Sequence, residues 1–103
     1  MNSFYILLIT SFAATVTRIP ETGTPPVRRL YSLSVNFKNN LYTFGGNSSI
    51  TGNLNDLHIF SPEYNIWSKI EPIDGVKPLA RIVFAMYTTD RHIYIHGGLG
   101  NNG

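Results

Sequence analysis

Apolar and polar residues alternate along several short stretches of this chain, and the alternation identifies candidate strands. One such run places apolar side chains at every second position, at Tyr31, Leu33, Val35 and Phe37. Clusters of Gly, Pro, Asn and Asp separate the runs. A period of two predicts β-strands with one buried face. We expect strands over residues 30–37, 41–45, 56–61, 66–70, 82–88 and 93–97, and a loop over 47–55.

The chain contains an internal duplication with a spacing of 52 residues. Shifting the sequence by this spacing aligns residues 41–46 with residues 93–98 without a gap. Between residues 20–46 and 72–98 seven aligned positions are identical, at Pro20, Gly23, Pro26, Arg29, Tyr42, Gly45 and Gly46 of the first copy. A fixed period of this size indicates a repeat architecture, and the strand pattern makes the repeating unit all-β.

Composition limits the size and chemistry of the protein. The chain has 103 residues, of which 43% are hydrophobic and 14% charged, which suits one small domain. The net charge is +2 and the basic residues are scattered, so the basic patch of a nucleic-acid binder is missing. The chain has no cysteine, which excludes disulfides, cysteine-based zinc sites and thiol catalysis within it.

The N-terminal segment, residues 1–19, allows two interpretations. Residues 4–16 carry no charged side chain, but they are too few for a bilayer span, which needs about 20 apolar residues. Residues 1–13 have the length of a signal peptide, with cleavage before Ala14, and the chain would then be secreted or lie in the endomembrane lumen. Asn47 would then lie in a glycosylation sequon. Alternatively the segment is a strand of a preceding unit, and the chain is cytoplasmic. We predict no transmembrane span.

An ordered set of Pro, Arg, diglycine, acidic and aromatic positions recurs in the two units. Its members are Pro26, Arg29, Gly45, Gly46, Asp56, Phe60 and Trp67 in the first unit and Pro78, Arg81, Gly97 and Gly98 in the second. The set resembles the kelch repeat, a four-stranded blade of a β-propeller with a period near 50 residues. Phe60 stands where the family often has Tyr, and His96 stands where an apolar residue is more usual.

The resemblance implies the fold and the domain organisation. It implies an all-β chain of kelch-type β-propeller blades, each a four-stranded antiparallel sheet, in an incomplete propeller. The first repeat is expected at residues 20–71 and a partial second repeat at 72–103. Arg29 and Arg81 are expected to connect neighbouring blades, and Trp67 to fill the space between them. Because propellers use four to eight blades, we expect the remaining blades in a longer parent protein or by self-association.

The same resemblance implies a function. Most kelch propellers are non-catalytic scaffolds or adaptors, so we expect a protein partner bound through the loops between strands. The candidate loops are residues 47–55 and 71–80, and the candidate contacts are Asn47, Ser48, Ser49 and Asn53. The alternative is a fragment of a kelch-like propeller enzyme acting on sugars, of the oxidase or sialic-acid epimerase type.

Three patterns suggest chemistry, and each has a simpler explanation. Residues 98–103 spell G-x-G-x-x-G after a strand, but no helix follows them in this sequence. His92 and His96 lie four residues apart on a strand, roughly 13 Å from each other, which is too far for a shared metal. Asp56 and His58 have no G-x-S-x-G serine motif to accompany them. We therefore predict no catalytic residue, no cofactor and no metal.

Overall fold

The structure is a computed structural model. It describes residue 5 and residues 14–100 with their side chains, and residues 6–9 by their backbone alone. These residues form eleven strands and no helix: β1 (Tyr5–Ile9), β2 (Ala14–Arg18), β3 (Thr22–Gly23), β4 (Leu33–Phe37), β5 (Asn40–Phe44), β6 (Asn47–Ser48), β7 (Gly52–Asn53), β8 (Leu57–Ser61), β9 (Ile66–Ile70), β10 (Ala85–Thr88) and β11 (Ile93–His96). In the described part, no helix is present that could cross a membrane.

The central unit is an antiparallel meander of β4, β5, β8 and β9, here called the complete blade. Each strand pairs with the next along the chain, as the alternating pattern predicts. The turn between β4 and β5 uses Lys38 and Asn39, both with positive φ, and the turn before β9 uses Asn65 in the same region. The expectation of an all-β fold with four-stranded antiparallel sheets is confirmed for this unit. In addition, the short strand β3 joins its outer edge, parallel to β9.

The strand predicted over residues 30–37 is observed as β4 over Leu33–Phe37, so it begins three residues later than predicted. Residues 30–32 lie outside β4 because Tyr31 has a φ of 62°, which interrupts an extended strand. Leu30 instead forms an isolated antiparallel bridge with Asn47. The second unit has the same interruption at Val83, with a φ of 52°, and an equivalent bridge between Ile82 and Leu99. The 52-residue period is therefore also a period of the backbone conformation.

The apolar core lies on both faces of the complete blade. Phe44 aligns with Leu57 and Ile70 in one row across the sheet. Phe60 and Trp67 lie opposite each other in a row three residues away, and therefore on the other face. Phe44, Phe60 and Trp67 are all buried. A blade with two buried faces is what stacking between neighbouring blades requires.

Partial units flank the complete blade. At the C-terminal side β10 and β11 form a hairpin, β10 packs on β4, and Phe84 contacts Phe44 edge to face at 5.6 Å between ring centroids. At the N-terminal side β1 and β2 form an antiparallel hairpin. Most of the proposed signal peptide, residues 1–4 and 10–13, lies outside the described residues.

Candidate functional site

Two long connections emerge at the same end of the complete blade. Leu33, Phe44, Leu57 and Ile70 form one row across the four strands. The loop after β5, residues 45–56, and the connection after β9, residues 71–84, therefore begin side by side. The turns that join β4 to β5 and β8 to β9 lie at the opposite end. Strand order alone thus brings the two predicted candidate loops together.

Hydrogen bonds join the two connections to each other. The Arg81 amide donates to the Leu54 carbonyl oxygen at 3.2 Å, and the Arg81 carbonyl oxygen accepts from the Gly46 amide at 3.1 Å. The Asn55 side-chain amide donates to the Pro78 carbonyl oxygen at 3.2 Å. Two of these bonds join main-chain groups and the third is donated by a side chain, and all three connect one repeat to the next, so the two loops support each other.

Most of the predicted contact residues stabilise the loop itself. Residues 47–53 form a small hairpin of β6 and β7, in which the Asn47 side-chain amide donates to Asn53 Oδ1 at 2.9 Å. The Ser48 hydroxyl is buried and accepts from the amides of Ile50 and Thr51 at 3.2 and 3.4 Å. The Ser48 oxygen thus closes the turn, which is a structural role that the prediction of a partner contact did not include. Ser49 remains exposed.

Four large apolar side chains are exposed on the two connections at this end. Ile50 projects from the tip of the β6–β7 hairpin and is 91% exposed. Ile73, Val76 and Leu79 are exposed on the neighbouring connection. Sequence reasoning placed Val76 and Leu79 in a candidate loop but did not single out Ile50 or Ile73. An isoleucine inside a polar loop is the signal that could have identified them.

Charged residues border this apolar group. Lys77 Nζ lies 2.8 Å and Lys69 Nζ 3.4 Å from the Glu71 carboxylate. The hydrogen bond from Lys77 is the largest influence on the Glu71 carboxyl and lowers its pKa. Both ion pairs are partly or largely exposed, so they contribute little to stability and chiefly set the charge of the rim.

A cavity of about 230 Å³ lies beneath the 71–84 connection. Phe44, Leu57 and Ile70 of the complete blade line it together with Ile93 and Ile95 of β11. Pro72, Val76, Lys77, Pro78 and Asn55 complete its lining. The cavity is predominantly apolar, and its lining comes from the complete blade, from the 71–84 connection and from β11.

A polar cluster supports the same end from the other face of the blade. The Arg29 guanidinium binds the Asp56 carboxylate through two hydrogen bonds of 2.5 and 2.8 Å and donates to the Gly45 carbonyl oxygen at 3.1 Å. His58 Nε2 lies 2.8 Å from Asp56 Oδ2, the oxygen that also accepts a hydrogen bond from Arg29 Nη2. Burial raises the pKa of the Asp56 carboxyl, but the hydrogen bonds and charges of Arg29 and His58 outweigh it and lower the pKa to about 2.

The position of this cluster differs from expectation in one respect. Arg29 and Asp56 belong to the same repeat, so their ion pair closes a blade on itself, whereas the resemblance implied an arginine that connects neighbouring blades. Arg81 repeats the carbonyl contacts of Arg29, donating to the oxygens of Leu79 and Gly97. Arg81 contacts the preceding repeat through its main chain, at Gly46 and Leu54.

The geometry of the cluster suits a structural role. Both Arg29 and His58 are almost fully buried, and among the described residues His58 Nδ1 has no hydrogen-bond partner, so no described hydroxyl is paired with this imidazole. His92 contacts Tyr94 edge to face, at 5.9 Å between ring centroids. Within residues 5–9 and 14–100, no group of three potential metal ligands was found.

The diglycine positions explain how closely the repeats approach. A Cβ on Gly46 would lie 2.7 Å from the Leu30 carbonyl oxygen, and a Cβ on Gly98 would lie 2.6 Å from that of Ile82. A Cβ on Gly45 would lie 3.0 Å from the Arg81 carbonyl oxygen of the next repeat. All three glycines have positive φ, so both conformation and space select glycine.

Comparison with known proteins identifies the family of the chain. The sequence profile of the KLHDC2/KLHL20/DRC7 kelch-repeats domain matches residues 1–103. The chain belongs to the kelch-repeat family. Its fold superposes on the solved structure of YjhT with a TM-score of 0.76, over 97% of this chain and 29% of that one, at 24% identity.

The chain is also similar to parts of longer curated proteins. The chain is 32% identical over 100 residues to the tRNA wybutosine-synthesizing protein 2/3/4 of Oryza sativa subsp. japonica, covering 96% of this chain and 9% of that protein. It is 34% identical over 87 residues to the Rab9 effector protein with kelch motifs of Rattus norvegicus, covering 81% of this chain and 23% of that protein. The kelch chain thus spans less than a quarter of the length of these relatives.

Proposed function

We propose that this kelch chain is a non-catalytic protein-interaction module that binds a protein partner through one end of the blade. The binding surface, here called the loop face, consists of residues 49–51 and 73–79. The carrying observation is that two hydrogen-bonded loops present Ile50, Ile73, Val76 and Leu79 to solvent on a rigid sheet. Apolar side chains grouped on one supported surface are typical of protein interfaces.

The chemistry of the loop face favours a protein over a small molecule. Ile50, Ile73 and Leu79 are exposed and do not line the cavity, whereas small ligands are usually enclosed in a concave site with a few directed polar groups. The rim residues Lys77, Lys69 and Glu71 can set orientation and selectivity around the apolar centre. The cluster of Arg29, Asp56 and His58 is buried behind the sheet and supports the loops without facing a ligand.

Two relatives illustrate the range of proteins that contain such modules. One is named as an effector of Rab9, which supports a role in protein binding. The other is named as a tRNA-modifying protein, but the match covers less than a tenth of it and gives no chemistry to this chain. The two relatives do not identify the partner of this chain, and we propose that the partner binds at the loop face.

A quantitative capture experiment tests the loop face. The 103-residue protein and the variant Ile50→Ser/Ile73→Ser/Leu79→Ser are immobilised, and captured proteins are compared by isotope-labelled mass spectrometry. Tyr64→Ser is the matched control, because Tyr64 is exposed on the turn at the opposite end of the same blade. We expect at least one protein, other than the chain itself, to be reduced about tenfold by the triple variant and unchanged by the control.

The proposal would be wrong if every captured protein responds equally to the two variants. Circular dichroism and thermal melting must show that both variants remain folded. All four substituted positions are exposed, so we expect the fold to be retained.

A further inference from the structure

Two residues of the chain hold a backbone conformation that their side chains disfavour. Tyr31 has a φ of 62° and Val83 a φ of 52°, and they lie 52 residues apart, at the same position of the two repeats. For a bulky or β-branched residue a positive φ is an outlier, because Cβ then lies too close to the following carbonyl oxygen. Both repeats therefore carry backbone strain at the same position.

Hydrogen bonds on the preceding residue fix the backbone path at both positions. The Leu30 amide donates to the Asn47 carbonyl oxygen at 2.9 Å, and the Leu30 carbonyl oxygen accepts from the Asn47 amide at 2.7 Å. Ile82 makes the same pair of bonds with Leu99, at 2.9 and 2.8 Å. Glycine would follow this path without steric cost. The path itself therefore does not require tyrosine or valine.

Neither side chain offsets the strain by packing. Tyr31 is 63% exposed and Val83 65% exposed. Tyr31 precedes β4, against which the following repeat packs, and the segment that holds Val83 is hydrogen-bonded to the preceding repeat through Arg81. The position thus stays exposed beside either neighbouring repeat. Strained residues that persist in a fold cluster at functional sites, so the outliers point to a role in binding.

From these outliers we infer that Tyr31 and Val83, here called the strained pair, are contact residues for the protein partner. The partner binds them through one continuous segment that is both apolar and acidic. This inference rests on the function proposed above and extends its binding surface. Tyrosine is among the residues that most often dominate the binding energy of a protein interface.

The strained pair adjoins the loop face. Gly46 contacts the segments that hold both residues. A Cβ on Gly46 would lie 2.9 Å from the Ser32 amide nitrogen, and the Gly46 amide donates to the Arg81 carbonyl oxygen at 3.1 Å. Leu79 of the loop face precedes Val83 by four residues. The strained pair and the loop face are therefore parts of one surface at the same end of the complete blade.

Each repeat presents a second apolar side chain four residues before the strained one. These residues are Val27 and Leu79, and both are exposed. An arginine holds the main chain of each, since Arg29 Nε donates to the Val27 carbonyl oxygen at 3.0 Å and Arg81 Nε to that of Leu79 at 2.9 Å. Successive repeats thus present the same two apolar positions in the same main-chain setting. A single segment that runs from one repeat to the next can contact both pairs.

The charge of this end favours an acidic partner. Residues 24–33, 45–57 and 68–84 contain five basic and three acidic residues. The rest of the chain contains three of each, so the net charge of +2 belongs to this end. Lys69 and Lys77 share the single carboxylate of Glu71, and all three side chains are at least partly exposed. Carboxylates of the partner complement this excess, and complementary charges suppress wrong partners and fix the register of binding.

Peptide selection provides a defined probe for this surface. A phage-displayed library of random peptides of about 15 residues is selected on the immobilised 103-residue protein, and the strongest binder is synthesised with a fluorescent label. We expect the selected peptides to carry net negative charge and at least two aliphatic or aromatic residues. Peptides without net negative charge would overturn the assigned partner chemistry. A library that yields no binder would overturn both this inference and the proposed function.

A double glycine variant tests the strained pair. Tyr31→Gly/Val83→Gly removes both side chains and relieves the backbone strain. We expect the labelled peptide to bind at least about tenfold more weakly by fluorescence anisotropy, while the urea midpoint equals or exceeds that of the unsubstituted protein. Asn39→Gly/Asn65→Gly is the matched control, since both asparagines have positive φ and are exposed at the opposite end of the blade. The control should leave peptide binding unchanged.

The outcomes separate this inference from the proposed function. Unchanged peptide binding by Tyr31→Gly/Val83→Gly would overturn the inference, and the proposed function would still stand if Ile50→Ser/Ile73→Ser/Leu79→Ser abolishes binding of the same peptide. A clear fall in the urea midpoint of the glycine variant would also overturn the inference, because the two side chains would then serve the fold. Tyr31→Phe/Val83→Ile keeps apolar side chains at both positions and should bind within about threefold of the unsubstituted protein.

Discussion

Removing the carboxylate of Asp56 should destabilise the complete blade strongly. Arg29 is 5% exposed and Asp56 18% exposed, so the ion pair is largely removed from water. Breaking a buried pair by deleting one partner costs about 3–5 kcal/mol, because the other charge stays buried. Arg29 keeps the carbonyl oxygens of Gly45 and Val27 as acceptors, which places Asp56→Ala near the lower end, at about 3 kcal/mol.

The acid sensitivity of the protein should change with the same substitution. The Asp56 pKa is about 2 in the folded chain and 3.8 when unperturbed. Because the Asp56 pKa is lower in the folded chain than in the unfolded chain, the ionised carboxylate stabilises the folded state above about pH 4. This stabilisation is lost as the pH falls from about 4 to 2. Allowing for solvent screening, it amounts to about 1–2 kcal/mol. Asp56→Asn, which does not titrate, should lack this part of the acid-induced loss.

Urea unfolding followed by the fluorescence of Trp67 measures both effects. It is run at pH 7 and pH 3 and at one protein concentration, because association would make apparent stability depend on concentration. The control is Glu71→Gln, which removes a carboxylate from exposed ion pairs and should change stability far less than Asp56→Ala. If the two substitutions cost the same, or if Asp56→Asn keeps the full acid sensitivity, the buried ion pair does not support the blade as argued.

Three further substitutions test other parts of the structure, each by denaturant unfolding. Gly46→Ala should cost about 3 kcal/mol, since strain at positive φ adds to contact with a carbonyl oxygen, whereas Gly52→Ala, in open space, should cost about 1 kcal/mol; equal costs would refute the close approach. Trp67→Ala should cost about 3–5 kcal/mol, because Trp67 is buried against Phe60, and a cost below about 0.5 kcal/mol would contradict that packing. Ser48→Ala should cost about 1 kcal/mol and speed amide exchange at Ile50, and unchanged exchange would show that the hydroxyl does not close the turn.

Much of the blade could be predicted from the sequence because local and periodic signals agree. The alternating pattern places β8 and β9 within one residue of their observed bounds. The diglycine positions could be recognised in the sequence because positive φ and the close approach of another chain segment both require glycine there. The first strand was predicted too long because no local signal marks Tyr31 as a residue with positive φ. Its conformation follows from the bridge between Leu30 and Asn47, a contact made across the repeat.

Two other features could not be predicted from the residues. The strands β1 and β2 begin 52 residues before β8 and β9, but they share no identical residue with those strands. The equivalence of the two pairs of strands is therefore visible only in the backbone. Ser48 reads as a loop polar residue, yet its burial depends on a hairpin of two-residue strands that carries no hydrophobic pattern. Both features depend on strand pairing, of β1 with β2 and of β6 with β7. Strand pairing uses main-chain hydrogen bonds, which constrain side-chain identity only weakly.

The main-chain bond between Gly46 and Arg81 has a consequence for how such a chain can evolve. The groups that join one repeat to the next here are an amide and a carbonyl, which every residue other than proline possesses. This bond therefore does not depend on the Arg81 side chain, whereas Gly46 is fixed by its positive φ and by the Leu30 carbonyl oxygen close to it. Repeats with different side chains at the Arg81 position can thus be joined by the same bond, as long as glycine stands at the other end of it.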